Sequence, residues 1–586
     1  MTQASEHAPS PQPSSFRTEL SRGEDRIERS TWAGAIPTEH AIAPRIRIGR
    51  DRWFNILWLI PIGFVLALTA IAVAQGIRDI PAVQHFIARY PGTASGSQAL
   101  QHTGVPWWVN LQHFVNLLFM VFIIRSGWQI LVDHPRLYWT RHSRPGNEWM
   151  RLRPKSPDDP LWTAKQDCVD LPKHVGLPGV RHTIGLARWW HFTVDLAWLV
   201  NGVVFYVLIF ATPQWRRLVP TSWRVFPDAL SVLIQYLSLD FPANHGWQAY
   251  NGLQLLAYFI TVFVAAPLAL ITGLGMSPAL ATRFPRFSKR FSIQLARSLH
   301  ALVMMWFVVF IVAHVSMVFV TGSARNLNAM FAARDSAGWL GFAVFGVAIA
   351  IVLAAWFVAS PFTLRHPRAV QAVGNAVVGP VQRRLEKVHI NPHRYTEADV
   401  SEYFWHNGRY PDSEEYRQLM AGDFIDYRLR INGLVEQPLE LSMAELRALP
   451  YHEQITQHFC IQGWSAVGKW GGVAMQTIVD LVRPRPEAKW VVFYSIAEGS
   501  DGGIYYDAHP IEQMSSELTM LAYDFNGEPL TYGHGAPLRL RNELQVGFKM
   551  VKWIKGVEFV AHYSEVGSGH GGYNEDHEYF GYAQSI

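Results

Sequence analysis

The sequence predicts an all-α bundle of six membrane-spanning helices followed by a soluble α+β domain. Three observations predict it. Six apolar stretches, near residues 54–76, 110–132, 189–211, 251–275, 299–321 and 338–360, each reach the roughly 20 residues that a bilayer crossing takes. Lys and Arg are dense in every second connecting segment and sparse in the others. Beyond residue 361 the long apolar blocks stop, and short patterned stretches of mixed composition take over.

The leader, 1–53, opens MTQASEHAPSPQPSSFRTEL, polar and rich in Pro and Ser, and reads as disordered. It has neither the apolar core of a secretory signal nor a twin-arginine pair ahead of one. It carries eight arginines; segments 133–188 and 276–298 carry ten and five Lys/Arg, whereas 77–109, 213–249 and 322–337 carry two, three and two. The positive-inside rule then puts both termini, and the soluble domain with them, on the cytoplasmic side of a bacterial inner membrane. Topology accounts for the net charge of +5, so no nucleic-acid partner is called for. Two cysteines among 586 residues make neither a disulfide framework nor a four-thiolate metal site.

Ionisable groups inside spans are costly in lipid and mark function. His113 opens the second span (NLQHFVNLLFMVF), His191 opens the third (RWWHFTVDLAW), and His300 and His314 share the fifth (LHALVMMWFVVFIVAH). Fourteen residues at about 100° each fall about 40° short of four turns, so the two imidazoles of the fifth span share one face, about 21 Å apart along the axis. Successive spans alternate in direction, which sets His113 and His314 at the outer leaflet and His191 and His300 at the inner one. Two transverse pairs of this kind are the ligand set of two six-coordinate haems. A lone histidine near a helix end is more often an interfacial or hydrogen-bonded group, but the matched depths argue for ligation. His85, His102, His134 and His142 fall in loops and read as structural or solvated. Arg125, inside the second span, reads either as a haem-propionate partner or as an interfacial arginine that snorkels.

The stretch from about 105 to 322 resembles the di-haem cytochrome b subunits of formate dehydrogenase (gamma) and nickel-iron hydrogenase. The resemblance rests on FVNLLFMVFIIRSGWQIL, RWWHFTVDLAWLVNGVVFY, YNGLQLLAYFITVFVAAPLALITGLGMSPA and ARSLHALVMMWFVVFIVAHVSMVFVTG, one span each. It implies two haem b, with axial pairs His113–His314 and His191–His300, and quinone exchange near one of them. The first and sixth spans lie outside that core.

Residues 361–400 read as a basic, irregular linker along the membrane surface, and 401–586 as the soluble domain. There DYRLRINGLV reads as a strand and turn, LSMAELRAL as a short helix capped by Ser442, and WVVFYSI (490–496) and GVEFVAHYSEV as strands. Cys460 sits in QHFCIQGWSAVGKWGG (457–472). Alone it reads as a small buried hydrophobe. A protease-like nucleophile lacks an evident Asp/Asn–His pattern, and a zinc site lacks a second cysteine beside His458.

HFCIQGWSAVGKWGGV, WVVFYSI and HGAPLRLRNELQVGFKMVKWIKGVEFV, in that order, resemble the molybdopterin domain of the sulfite oxidase family over roughly 400–586. The nearest branch is the methionine sulfoxide reductase catalytic subunit. The resemblance implies a molybdenum–molybdopterin cofactor whose metal is ligated by the Cys460 thiolate, a soft donor suited to it. It also implies cofactor contacts at Ser495, His534 and Arg539, and at Gly547, Phe548 and Lys549, whose backbone and ammonium would hold the cofactor phosphate. Asn407, in FWHN (404–407), is a looser match. The immunoglobulin-like domain of sulfite oxidases proper and their sulfite-binding arginine cluster find no counterpart, so substrate and direction stay open.

The expected function is that of a membrane-bound molybdenum oxidoreductase. It would pass electrons between the quinone pool, two haems and a site of oxygen-atom transfer on a small S- or N-oxide or on sulfite, and a homo-oligomer is compatible with it. Two other readings are open. A six-span metal-ion transporter with a regulatory soluble domain would want polar residues along its spans, where only Arg125 and Asp195 stand out. A di-haem cytochrome with a non-catalytic, partner-binding domain would need no molybdenum at Cys460.

Overall fold

The computed structural model describes residues 15–20, 42–92, 104–241, 247–386, 395–499 and 502–581, apart from 154, 156–157, 173, 180–182, 248 and 579. Among the described residues, six helices are long and apolar enough to cross a membrane: Ile56–Arg78, Trp107–Asp133, Ile184–Ala211, Gly252–Gly275, Ile293–Val320 and Leu340–Arg365. Each contains or closely matches a stretch that hydropathy predicts. Large side chains such as Phe64, Val309 and Val347 point out of the bundle, as lipid-facing residues do. The fourth span widens into a π-helical turn at Ile260–Ala265, an irregularity that often marks functional sites.

Arg125 does not snorkel to an interface. It is buried, donating Nε to Gly176 O (3.1 Å), Nη1 to Trp356 O (2.6 Å) and Nη2 to Ser360 Oγ (2.7 Å), with its guanidinium over the Trp356 ring. This cation ties the second span to the sixth through backbone carbonyls, which replace the water it would otherwise need.

The end of the bundle where the second span finishes, and the third and fifth begin, carries the basic loops. A four-stranded sheet forms there in the order Trp53–Asn55, Arg45–Arg47, Met150–Arg151, Arg136–Leu137. The leader is therefore not disordered throughout, since two of these strands are its own or continue it. A further piece, Ser15–Glu19, docks on the soluble domain. Phe16 is fully buried with its ring stacked 4.8 Å from Tyr494, and Arg17 pairs with Glu558 at 2.9 Å. Residues 1–14 and 21–41 lie outside the described residues, as does His102.

The expected irregular linker is largely a helix, Pro367–Glu386. It packs on the third span through Gly374, where an added Cβ would come within 2.7 Å of Trp189. Only 387–394 of that linker fall outside the described residues.

The soluble domain holds two five-stranded sheets. One runs Ile504–Pro510, Trp490–Glu498, Ile554–Val560, Arg428–Gly433, Leu439–Ser442, with only the Ile554–Val560/Arg428–Gly433 pair parallel. The other runs Glu528–Pro529, Thr519–Phe525, Ser465–Ala474, Tyr451–Phe459, with Arg539–Asn542 pairing onto Thr519–Phe525. The predicted strands at 428–433 and 490–496 and the helix capped by Ser442, which forms a reciprocal capping box with Glu445, are all present. Leu429, Ile431, Val491, Phe493, Val557 and Phe559 meet in a fully buried core.

This domain sits directly on the basic loops. The Asp399 carboxylate accepts from Arg141 Nη1 (2.8 Å) and Lys289 Nζ (3.0 Å). Ser143 accepts from Trp405 Nε1 at its carbonyl (2.5 Å) and donates its hydroxyl to Ser465 O (2.9 Å).

Candidate redox centres

The four span histidines come together in two pairs. The ring centroids of His113 and His314 are 6.2 Å apart, and those of His191 and His300 are 6.3 Å apart. With a metal–imidazole bond of about 2 Å and roughly 1.1 Å from nitrogen to ring centre, two imidazoles that held one iron between them would have their ring centres about 6.2 Å apart. The second nitrogens of the inner pair are already engaged. Ser126 gives its hydroxyl proton to Phe122 O (2.7 Å) and so accepts from His191 Nδ1–H (2.9 Å). Thr272 gives its own to Leu268 O (2.7 Å) and accepts from His300 Nδ1–H (3.0 Å), with Ala269 O a further acceptor at 3.2 Å. That tautomer leaves each Nε2 lone pair free to ligate. Asp195, one turn beyond His191, brings a carboxylate oxygen 3.4 Å from His191 Nε2. In the outer pair, His314 Nδ1 meets the Tyr258 hydroxyl at 3.3 Å, while His113 Nδ1 is buried without a partner among the described residues. The donor sets fit two bis-imidazole haems.

Cys460 ends the strand Tyr451–Phe459 and opens a tight turn, with Gly463 N–H bonded to Cys460 O at 3.0 Å. Gly463 adopts φ +100°, which only glycine takes without strain. The turn points Cys460 into a cleft of about 300 Å³. The Asn407 amide lies 3.6 Å from Sγ, and burial pushes the free thiol up to about 12. Burial followed by the charges of Arg541 and Arg539 holds His458 well below its ordinary value. Burial, His406 and Arg539 bring His534 down to about 2. His534 Nε2, Arg539 Nε and Trp464 Nε1 are buried without a hydrogen-bond partner among the described residues, and all three residues line the cleft. Such orphaned atoms are costly unless a bound group satisfies them, so the cleft fits a polar cofactor.

The two sites abut. Ile184 and Ile293, which open the third and fifth spans, pack with Phe459 and Ile461 on either side of Cys460. His191 and His300 each follow seven residues later, about 10 Å along their helices. Gln462 lies across the seam: its Oε1 is 3.7 Å from Cys460 Sγ, and its Nε2 donates to Asp133 O at the end of the second span (3.2 Å).

Residues 104–333 match the prokaryotic cytochrome b561 family, and 418–566 match the oxidoreductase molybdopterin binding domain. The uncharacterized oxidoreductase YuiH of Bacillus subtilis is 33% identical over 138 residues, 23% of this chain and 67% of that protein. The chain belongs to the molybdopterin-binding oxidoreductases, and its membrane region matches cytochrome b561. A putative protein-methionine-sulfoxide reductase subunit, YedZ1 of Azospira oryzae, is 33% identical over 32% of this chain and 64% of its own length. The protein-methionine-sulfoxide reductase catalytic subunit MsrP of Campylobacter jejuni is 29% identical over 23% of this chain and 49% of its own. The chain thus spans from about half to two thirds of the curated relatives it matches. The sulfane dehydrogenase SoxCD from Paracoccus pantotrophus aligns at 28% identity over 23% of this chain and 39% of its own, with a TM-score of 0.22.

Within the molybdopterin-binding domain, Cys460, Asn407, Ser495, His534, Arg539, Gly547 and Phe548 all line the cleft. Ser495 gives its hydroxyl to Lys552 O (2.7 Å), and a Cβ on Gly547 would strike the His458 ring at 2.2 Å. Lys549 is the exception. It is not among the lining residues, because its buried ammonium is held by Asp507 (2.5 Å) and Glu575 (2.6 Å). A lysine engaged by two carboxylates is not available to a phosphate, so the role expected for Lys549 does not hold. Lys552, three residues on, faces the cleft instead, with Nζ 2.6 Å from Asn407 O. Burial and Arg539 push it well below the usual lysine range. His406 and Lys552 escaped the sequence reading, with only the basic cluster in KMVKWIK hinting at the second, and His458 was weighed there only as a zinc ligand. His134 is fully buried between Trp405 and Tyr138 rather than solvated.

Proposed function

We propose that this protein couples the membrane quinone pool to oxygen-atom transfer on a small S- or N-oxide or on sulfite. The observation that carries the reading is the seam, where the Cys460 turn packs on the helix starts that lead to His191 and His300. Bound molybdenum–molybdopterin would supply the two-electron oxygen-atom transfer, and two haem b the one-electron steps.

Cys460 would hold the metal through its thiolate, which coordination keeps deprotonated where burial alone would not. Asn407 orients that sulfur. Arg539 and Lys552 offer N–H donors to the anionic cofactor, and Gly547 lets its backbone run close beneath. His113 with His314, and His191 with His300, would be the axial ligands. Gln462 fixes the Cys460 turn against the second span.

At the far end of the bundle, Phe210, Trp215, Val219, Phe259 and Phe263 line an apolar groove of about 390 Å³. It borders the π-helical turn, and Tyr258, beside Phe259, reaches His314. We assign quinone exchange to this groove, at the opposite end of the histidine ladder from Cys460. The basic loops beneath the molybdopterin domain support a cytoplasmic position for that domain at a bacterial inner membrane. The likeness to the sulfoxide reductase subunits YedZ1 and MsrP favours S-oxide reduction.

The test is metal analysis of the detergent-solubilised protein with a redox titration of its haem bands. Two irons and one molybdenum per chain, titrating in two haem steps, are expected. Two irons without molybdenum, from a host that makes the pterin, would leave a cytochrome with a partner-binding domain. Neither metal, in folded protein from a haem-replete host, would return the transporter.

A further inference from the structure

The cleft around Cys460 is not walled by the molybdopterin domain alone. Thr163, Lys165 and Gln166 of the 133–188 loop line it, with Asp133 and Ile184 at the ends of the flanking spans. This part of the loop is firmly seated. Ala164 is fully buried in the cluster that holds Cys460, Phe404 and Trp405. Its N–H donates to His406 O (2.8 Å), and Thr163 and His406 form a parallel β-bridge. The Tyr410 hydroxyl donates to Leu161 O (2.9 Å), and Lys165 reaches Glu578 at 3.0 Å. Behind it, Asp167 binds the buried Arg136 through two oxygens, at 2.7 and 2.8 Å.

We propose that this loop is the roof of the active cleft, so that the membrane domain decides which substrates reach Cys460. The roof admits small free solutes and excludes an oxidised group still carried on a polypeptide. Two observations carry this. A substrate chain that paired with the backbone at His406 would need the edge that Thr163 and Ala164 already occupy. The cleft, at about 300 Å³, is also at the small end of ligand sites, which run from roughly 300 to 1,000 Å³. The substrate chemistry rests on the function proposed above; the roof does not.

The experiment reads thiol accessibility rather than turnover. The full chain, carrying Cys168→Ser so that Cys460 is the one thiol, is purified with its haems from a host unable to make the pterin. Alkylation of Cys460 by iodoacetamide and by a 5-kDa maleimide-polyethylene glycol is followed by mass spectrometry, each normalised to the denatured chain. The same is done with Trp162→Gly, Ala164→Gly and Lys165→Ser combined, and with Lys165→Ala alone should the triple variant lose its haem spectrum. Opening the roof is expected to raise the rate with the large reagent at least tenfold, and more than the rate with the small one. Equal rates with the large reagent in intact and opened chains would overturn the proposal. So would an opened chain in which neither reagent reaches Cys460. Because molybdenum content and haem titration are separate readouts, failure of the roof and failure of the proposed function are told apart.

Discussion

The two histidine pairs have nearly the same ring spacing, 6.2 and 6.3 Å, yet their surroundings differ. At the inner pair both second nitrogens are held by hydroxyls whose own protons are committed elsewhere, and a whole domain is seated above. At the outer pair one nitrogen meets a tyrosine and the other meets nothing among the described residues. The lesson is that the spacing fixes what can be bound, while the outer shell of hydrogen bonds decides how firmly it is held and at what potential. The inner end is built for permanence beside the Cys460 cleft. The outer end faces an apolar groove and is less constrained.

The strongest way to break this comparison is to remove one ligand from each pair. His300→Ala and His314→Ala should each lower haem per chain by about half, from the two six-coordinate sites proposed. Pyridine-haemochrome assay checks the count, and loss of both haems from either variant would contradict independent pairs. A finer cut goes to the outer shell. Thr272→Val, which keeps shape but removes the acceptor for His300, should weaken retention of the inner haem about tenfold, whereas Tyr258→Phe should change the outer haem less. Competition with apomyoglobin measures both, and equal losses would erase the difference between the two ends.

The smallest effect concerns how the domain is seated. Burial opposes ionisation of Asp399, but hydrogen bonds from Arg141 and Lys289 prevail and hold its carboxyl well below the ordinary range. A carboxyl whose folded value is depressed stabilises fully above its unfolded value, about 3.9, and loses that contribution as pH falls toward the folded one. Seating should therefore weaken as pH drops below about 4. Asp399→Asn should lower the unfolding midpoint of the soluble domain by about 3 °C at pH 7 and show no such acid step. A variant that retains the step would place the titrating group elsewhere.

The spans and the histidine ladder were legible because each rests on a local rule: a run of apolar residues, a helical period, alternating direction. Cys460 alone was ambiguous, and its place in the cleft depends on the Gly463 turn. The error at Lys549 has a physical source. Its partners Asp507 and Glu575 lie 42 and 26 residues away, and no local pattern shows which of two nearby lysines they capture. The helix at Pro367–Glu386 was hidden by its prolines and glycines, since its packing comes from Trp189 of another segment. The roof was invisible for the same reason: the 133–188 loop read as basic and no more, because the contacts that seat it on the cleft, to His406, Tyr410 and Glu578, are long-range.

The fourteen residues between His300 and His314 have an electrical consequence. On the proposed route an electron moving between the pairs travels about 21 Å through a hydrocarbon core about 30 Å thick. It does so against or along the membrane field, which acts on a unit charge with about 2.3 kcal/mol per 100 mV over the full depth, hence about 1.6 kcal/mol over this distance. Turnover in sealed vesicles should then rise or fall severalfold when a diffusion potential of 100 mV is imposed. The sign of that change would report the direction in which the chain drives its electrons.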